Sequence, residues 1–170
     1  MKTFNCKSFV AILAFTGLSL GAKAQFNGGT GTEADPYRIA TAAQLAQLAT
    51  NVKNGATYSG TYFVLTQNID LAAYGAGFNG GKGWIPIGKW MSFLDNKPFK
   101  GVFDGNNKVI TGLYINDNTL DYTGLFCYIE SGTVKNLGLE NVNITAILKL
   151  AACRDIFSVW LKTLIFSNFG

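Results

Sequence analysis

The 170-residue chain contains no histidine. This absence excludes Ser-His-Asp and Cys-His catalysis, a histidine general base and the usual zinc sites. Cysteine is also scarce, because only Cys127 and Cys153 lie beyond the N-terminal segment, and two cysteines do not make a disulfide framework. The apolar neighbours of Cys127 predict a buried side chain that simply packs. We therefore expect no catalytic residues, no cofactor and no metal site.

Charged residues make up only 14% of the chain, and the excess of positive charge lies mainly at its N-terminus. There are 14 basic and 10 acidic residues, but Lys2, Lys7 and Lys23 fall within the first 24 positions. Removal of that segment leaves eleven basic and ten acidic residues, a net charge of +1. Such a chain has no basic patch large enough for nucleic acid, which we exclude as a partner.

The N-terminal segment has the three parts of a secretory signal peptide, predicted over residues 1–24. Basic residues precede an apolar stretch at positions 9–20, and Ala22-Lys23-Ala24 gives the small-x-small pattern of a cleavage site. The apolar stretch is too short to span a bilayer. We expect cleavage between Ala24 and Gln25, export to the cell surface, periplasm or exterior, and no stable membrane span.

Residues 25–60 predict an N-terminal cap that contains one helix. Thr41 is a typical N-cap residue, and Gln44 completes a capping box three positions later. Apolar residues then follow at helical spacing, and Asn54-Gly55 is typical of a helix end. A helix over about 41–53 is expected to cover the first open edge of a repetitive β structure.

A short motif recurs three times in the body of the chain: an amide or glycine, then an apolar residue, any residue and another apolar residue. It reads Asn68-Ile69-Asp70-Leu71, Gly112-Leu113-Tyr114-Ile115 and Asn136-Leu137-Gly138-Leu139. Spacings of 44 and 24 residues are typical of stacked turns that bury their apolar faces against their neighbours. The first apolar residue of each motif is therefore expected to lie in one stacked column.

The fold prediction is a mainly β structure, a short parallel β-helix whose rungs occupy residues 61–145. Asp104-Gly105-Asn106-Asn107 predicts a tight turn between two strands, and Glu140 with Asn141 predicts a bend between consecutive faces. Fourteen apolar side chains are expected to point inward. They are Leu65, Ile69, Leu71, Phe103, Ile110, Leu113, Ile115, Leu125, Phe126, Val134, Leu137, Leu139, Val142 and Ile144.

The tail, residues 146–170, differs in composition from the body. Residues 25–145 contain 17 glycines and 13 asparagines, whereas the tail contains one of each. Apolar residues of the tail, among them Leu150, Phe157 and Trp160, share one face of a helical projection. Two interpretations remain open: an amphipathic helix that caps the last rung, or a reading-frame change that truncates a longer repeat protein. The joint loss of glycine and asparagine favours the second.

Five segments of the chain occur in the order found in a known family. They are Gly31-Thr32 with Asp35-Pro36-Tyr37-Arg38-Ile39, Tyr62-Phe63-Val64-Leu65 with the first motif, Trp84-Ile85-Pro86-Ile87-Gly88, Phe99-Lys100-Gly101-Val102-Phe103-Asp104-Gly105, and Gly124-Leu125-Phe126. Across residues 28–145 the chain resembles bacterial secreted and surface proteins with GLUG-type repeats. Such repeats also precede the catalytic domain of metallopeptidases that cleave immunoglobulin A.

The resemblance implies a right-handed parallel β-helix that is exported and adhesin-like. Two departures accompany it. Cys127 stands where the family places a glycine after Gly-Leu-Phe, and the repeat pattern stops after Thr145, as expected of a truncated or frame-shifted chain. The paired zinc histidines of the metallopeptidases are missing, so the resemblance does not imply peptidase activity.

The segment 104–107 carries several oxygen-bearing side chains at close spacing, as a calcium-binding loop does. It lacks the alternate-position carboxylates and distal glutamate of such loops, so an Asx turn is the better interpretation. Asp70, Asp117 and Asp121 have no spacing that requires them to join it. A polysaccharide lyase on a β-helix needs a basic residue beside carboxylate-held calcium, whereas the body offers only Arg38, scattered lysines and no acidic cluster.

Two tryptophans of the glycine-rich connection 72–100 are the candidate ligand contacts, because indole rings stack on sugars. The motif around Trp84 favours a core position, which makes Trp90 the better candidate for exposure. Three nearby lysines can serve acidic glycans or simply solvate the loop. They are Lys89, Lys97 and Lys100.

The expected function is a surface or secreted binding module of adhesion type, without catalysis, whose partner is a glycan or a host surface protein. Two alternatives remain. One is the N-terminal remnant of a larger GLUG-repeat protein with no independent function. The other is a polysaccharide-degrading β-helix enzyme.

Overall fold

The computed structural model describes residues 26–90, 96–120 and 123–145, and the backbone of residues 159–161 and 164–165. The expected signal peptide, its cleavage site at Ala24 and Gln25, and most of the tail lie outside these residues. Within them the chain is mainly strand, in parallel sheets, with little helix. The prediction of a mainly β fold is confirmed.

Nine strands and one α-helix make up the described part of the chain, with two short 3-10 helices at Ala72–Tyr74 and Asn79–Gly81. In chain order the elements are β1 (Tyr37–Ile39), α1 (Ala42–Lys53), β2 (Tyr62–Leu65), β3 (Ile69–Asp70), β4 (Val102–Thr111), β5 (Tyr114–Asn116), β6 (Thr133–Glu140), β7 (Val142–Thr145), β8 (Val159–Leu161) and β9 (Leu164–Ile165).

The strands form two sheets in which every pairing is parallel. The first sheet has the order β1-β2-β4-β6-β8, with β3 beside the second half of β4, and the second sheet has the order β5-β7-β9. Each pass of the chain therefore adds a strand beside the strand of the previous pass. The first strand of this stack lies within residues 25–60, the segment predicted to form the N-terminal cap.

The register of the first sheet differs from the expected column. Ile69 pairs with Ile110, and Ile110 pairs with Leu139. The column therefore excludes Leu113 and Leu137, and that prediction is wrong. The reason is that Gly112-Leu113 lies at the bend between β4 and β5, just before the pairing of Tyr114 with Asn143. Asn136-Leu137 lies within β6 instead, where Leu137 pairs with Lys108. A motif that recurs in the sequence can thus lie at different positions in successive passes of the chain.

The expected tight turn at 104–107 is wrong. In this segment β4 takes four residue steps after Asp104, whereas β6 takes two. The strand continues through this segment, and both of its halves pair with β6. Asn106 and Asn107 have φ angles of 48° and 57°, a left-handed conformation that asparagine tolerates. The Asn106 backbone N–H donates to Asp104 Oδ1 over 2.8 Å, so the Asx turn is confirmed. The segment is a bulge within a strand rather than a turn between two strands.

The inward-facing set is confirmed in 13 of its 14 members, which are buried, and the remaining one, Ile144, is partly buried against the same core. Aromatic rings contact one another within the core. Phe63 contacts Tyr58 and Phe99 at centroid distances of 5.0 and 6.0 Å, and Phe103 contacts Phe126 at 5.3 Å. Alternation of inward and outward side chains along short strands produces this pattern.

Helix α1 begins and ends as expected. Thr41 is its N-cap, and the Gln44 backbone N–H donates to Thr41 Oγ1 over 3.2 Å. The Gln44 side-chain oxygen accepts from the Ala40 N–H at 2.8 Å, one residue before the position of an ideal capping box. The buried face of the helix, which includes Leu45 and Leu48, covers the core.

The tail contains strands where a helix was one expectation. β8 pairs with β6 from Leu137↔Val159 onward, and β9 pairs with β7 from Val142↔Leu164 onward. In each of these two pairs the second residue lies 22 positions after the first in the sequence. The two segments therefore extend both sheets by one further pass of the chain. A helix over residues 159–161 and 164–165 is therefore wrong. The rest of the tail lies outside the described residues.

Candidate ligand-binding cleft

A cleft of about 230 Å³ lies where the connection after β3 meets the segments that follow β5 and the loop before β6. It brings both candidate tryptophans to one place. Its lining residues are Lys53, Asn79, Lys82, Trp84, Ile85, Pro86, Gly88, Lys89, Trp90, Asp117, Leu120 and Cys127.

Backbone pairing holds one wall of the cleft against β5. Gly83 and Ile115 form an antiparallel bridge, and the Trp84 N–H donates to the Tyr114 carbonyl over 2.8 Å. Gly83 has a φ of 78°, and a Cβ atom there would lie 2.3 Å from the Tyr114 carbonyl oxygen. Only glycine permits this approach, which fixes the positions of Lys82 and Trp84 on either side of it.

Trp84 lies in the core and is also one of the lining residues of the cleft. Its side chain is 2% exposed, its indole N–H donates to the Leu125 carbonyl over 3.3 Å, and its ring meets Tyr74 edge to face. These contacts agree with the core position that the surrounding motif favours. A direct contact between Trp84 and a ligand stays a prediction.

Trp90 is half-buried, and it lies beside Tyr128 at a centroid distance of 5.0 Å in an edge-to-face arrangement. The backbone nearby is held by the parallel bridge between Ile87 and Phe126. An aromatic ring anchored on one side and partly exposed on another can receive the apolar face of a sugar ring. The structure thus places Trp90 where a contact is possible, and the contact itself stays a prediction.

The three predicted lysines have different positions. Lys89 lines the cleft, and its backbone exchanges two 2.9 Å hydrogen bonds with the backbone of Lys97. The Lys100 ammonium lies 2.6 Å from Glu130 in an ion pair. That lysine holds the pKa of the Glu130 carboxyl below its ordinary value. Of the three, only Lys89 belongs to the cleft lining.

An ion pair that sequence reasoning missed lies at the cleft wall. Lys82 Nζ is 3.0 Å from Asp117 Oδ2, and Asp117 is 9% exposed. The hydroxyl and backbone N–H of Thr119 donate to Asp117 Oδ1 over 2.6 and 2.9 Å. Burial opposes ionisation, but the bonds from Thr119 and the charge of Lys82 outweigh it, so the pKa of Asp117 lies below its ordinary value. Asp117 is therefore ionised at neutral pH.

Acidic residues considered for calcium have other partners. Asp70 Oδ1 accepts from the Ala72 N–H over 2.9 Å, and Asp104 receives the Asn136 amide at 3.0 Å. Asp121 lies outside the described residues. Among the residues that the structure describes, no three histidine, cysteine or acidic side chains come together.

Cys127 was expected to be buried, yet it is half-buried and lines the cleft. The two residues before it, Leu125 and Phe126, take the buried positions. The places of Lys53 and Lys82 in the cleft lining were also not predicted. The cleft joins α1, the connection and the segment after β5, which are distant in sequence. The only local signal was the proximity of Lys82 to Trp84.

We predict that Asp117→Asn lowers the free energy of unfolding by about 1–2 kcal/mol at pH 7, since it leaves Lys82 without its charge partner. The folded-state pKa lies below the ordinary value of 3.8, so this stabilisation is present above about pH 3.8 and is lost as the pH falls below it. Urea unfolding at pH 7 and pH 3 measures both effects. Glu33→Gln, at an exposed position, is the control, and equal stability of wild type and Asp117→Asn at pH 7 would contradict the prediction.

Two known proteins are similar to this chain, and their names refer to a membrane protein and a mucin. The chain is 40% identical over 147 residues to "Putative Gly-rich membrane protein" of Evansella cellulosilytica, a match that covers 85% of this chain and 16% of that protein. It is 34% identical over 117 residues to "Halomucin" of Haloquadratum walsbyi, a match that covers 68% of this chain and 1% of that protein. The chain thus spans a small part of each relative.

No protein-family model matches the chain, and no solved structure matches it. The GLUG-type resemblance therefore rests on the five sequence segments alone. Within the described residues, no helix combines the length and apolar character needed to cross a bilayer.

Proposed function

We propose that this chain is an exported, non-catalytic surface module that binds a saccharide in the cleft beside Trp90. The observation that carries the proposal is the meeting of a partly exposed indole with hydrogen-bonding side chains in one small cleft. Saccharide sites combine an aromatic platform for the apolar ring face with polar groups for the hydroxyls. Asn79 supplies such a polar group here.

The proposed scaffold is a short right-handed parallel β-helix of the GLUG-repeat type. Its support is the pairing pattern, in which successive passes add parallel strands to two sheets in the same order. Asn141, with a φ of 52°, lies between β6 and β7, and Gly112, with a φ of 71°, lies at the matching point between β4 and β5. Stacked bends of this kind are expected where a coil passes from one face to the next.

The size of the cleft favours a single sugar unit, such as a chain end or a branch. Pockets for larger ligands occupy about 300–1,000 Å³, whereas this cleft is about 230 Å³. A long polysaccharide bound along its length needs an extended groove. The proposal is therefore recognition of a terminal or branch residue.

The absence of catalysis is part of the proposal. Glycoside hydrolysis ordinarily uses a pair of carboxyl groups on either side of the scissile bond. Among the described lining residues, Asp117 is the single carboxylate, and its oxygens are engaged by Thr119 and Lys82. This arrangement supports binding over the polysaccharide-degrading alternative.

A surface location is proposed from two independent indications. One is the signal-like segment 1–24. The other is that the names of the two relatives refer to a membrane protein and a mucin. The partner could then be a glycan on another cell or on a host surface protein. The saccharide chemistry is the same in both cases.

We predict that Trp90→Ala weakens saccharide binding at least about tenfold, or about 1.4 kcal/mol. A glycan screen followed by calorimetric titration of the strongest ligand measures this loss. Tyr62→Ala, which removes a half-buried aromatic ring outside the cleft, should leave affinity unchanged. Absence of any glycan binding by the folded wild type would support the remnant alternative, and turnover of a bound polysaccharide would support the enzyme.

A further inference from the structure

We infer that the cleft selects saccharides that carry an anionic group, a carboxylate or a sulfate, over uncharged ones. This inference rests on the proposed saccharide function and adds the charge of the ligand to it. Among the described lining residues, three are lysines and one is an aspartate. The three lysines are Lys53, Lys82 and Lys89.

Several of the basic residues of this chain lie at the cleft. The whole sequence carries +4, and +1 remains if the first 24 residues are removed. The described lining residues include three of the eleven basic residues that lie beyond position 24. Charge of one sign around a concave site raises the local concentration of oppositely charged ligands.

Asp117 acts on Lys82 rather than on a ligand. Its carboxylate is buried and accepts two hydrogen bonds from Thr119, which hold it in a fixed orientation. The Lys82 side chain remains 45% exposed while its ammonium is 3.0 Å from Asp117. A lysine ammonium has three donor hydrogens, so Lys82 can contact Asp117 and an anion together. Asp117 is thus a positioning residue for Lys82.

Lys53 approaches the cleft from a different element. It is the last residue of α1, is exposed and belongs to the cleft lining, whereas Lys82 and Trp90 lie in the connection after β3. Cations from separate elements can contact one anionic group from two directions while the indole meets the sugar ring. That division assigns the ring to Trp90 and the charge to the lysines.

The test compares three ligands of equal length by calorimetry: trigalacturonate, a sulfated galactose trimer and uncharged galactotriose. We expect at least one anionic trimer to bind tenfold or more tightly than galactotriose in 50 mM salt, with a smaller advantage in 500 mM salt because of screening. Preference for one anionic trimer identifies the group, carboxylate or sulfate. Either preference supports the inference.

Three variants separate the cleft from general charge. Lys53→Gln and Lys82→Gln should each weaken binding of the preferred anionic trimer at least threefold, with galactotriose unchanged. Lys108→Gln removes the same charge from β4, outside the cleft lining, and should have no effect. Lys53→Gln changes an exposed residue, so its result stands if Lys82→Gln disturbs folding.

The outcomes distinguish a failure of the anion selectivity from a failure of the proposed saccharide binding. Equal affinity for all three trimers, with loss in Trp90→Ala, would overturn the anion selectivity and leave the saccharide function intact. An equal loss of affinity in Lys108→Gln would also overturn it. If no saccharide binds to the folded protein, both proposals fail.

Discussion

Phe103→Ala is expected to lower the free energy of unfolding by about 3–5 kcal/mol, because it empties a large volume at the centre of the stack. Phe103 is fully buried in β4, pairs in register with Phe63 on one side and Val134 on the other, and contacts the ring of Phe126. Small domains have total stabilities of about 5–15 kcal/mol, so this one change removes a large share.

Urea unfolding followed by tryptophan fluorescence measures the Phe103 effect. Phe78→Ala is the matched control, because Phe78 is only partly buried and packs edge to face on Tyr74 in the connection. The control should cost less than half as much. Similar losses for the two variants would contradict a core organised around β4.

Gly105→Ala is expected to cost about 3 kcal/mol, the upper part of the range for overpacking. A Cβ atom at this position would lie 2.5 Å from the Asn136 carbonyl oxygen and 2.6 Å from Leu137 Cα. Both contacts are with the backbone of the β6 strand, which cannot rotate aside as a flexible side chain can. The added methyl must therefore separate β4 from β6 at the bulge.

Gly77→Ala provides the comparison for Gly105→Ala. A Cβ atom at Gly77 meets nothing within 4 Å, and its backbone has no left-handed φ. The control variant should retain wild-type stability in the same urea titration. If Gly105→Ala is as stable as Gly77→Ala, the close approach of the two strands is wrong.

Local features of the fold were predictable from the sequence. The cap at Thr41 and the extent of α1 depend on residues within a few positions of each other. The inward positions follow from alternation along each strand, and that rule needs no knowledge of the partner strand. These predictions were therefore accurate even though the alignment between strands was not.

The register and the cleft were not predictable in the same way. The bulge after Asp104 changes the residue count of one turn, and the sequence marks it only by asparagines that also fit a tight turn. The cleft joins Lys53, Lys82 and Asp117 through pairings between distant segments. The motif around Trp84 identified one part of this lining, but no local pattern connects Lys82 with Asp117.

The expected C-terminal helix shows how composition can mislead. Apolar residues with few glycines fit a helical projection, yet the backbone at residues 159–161 and 164–165 pairs with β6 and β7. Parallel strands buried on both faces also have continuous apolar runs, so periodicity alone does not separate the two structures.

The most direct test of the account is the response of the Trp90 indole N–H to a bound saccharide. The chain has three tryptophans, and replacing each in turn by phenylalanine assigns the three indole resonances in a spectrum of the ¹⁵N-labelled protein. Titration with the preferred trimer is predicted to shift the Trp90 resonance in a saturable manner, with the same dissociation constant as the calorimetric titration. A Trp90 resonance that stays in place while the saccharide binds would contradict the assignment of the cleft as the binding site.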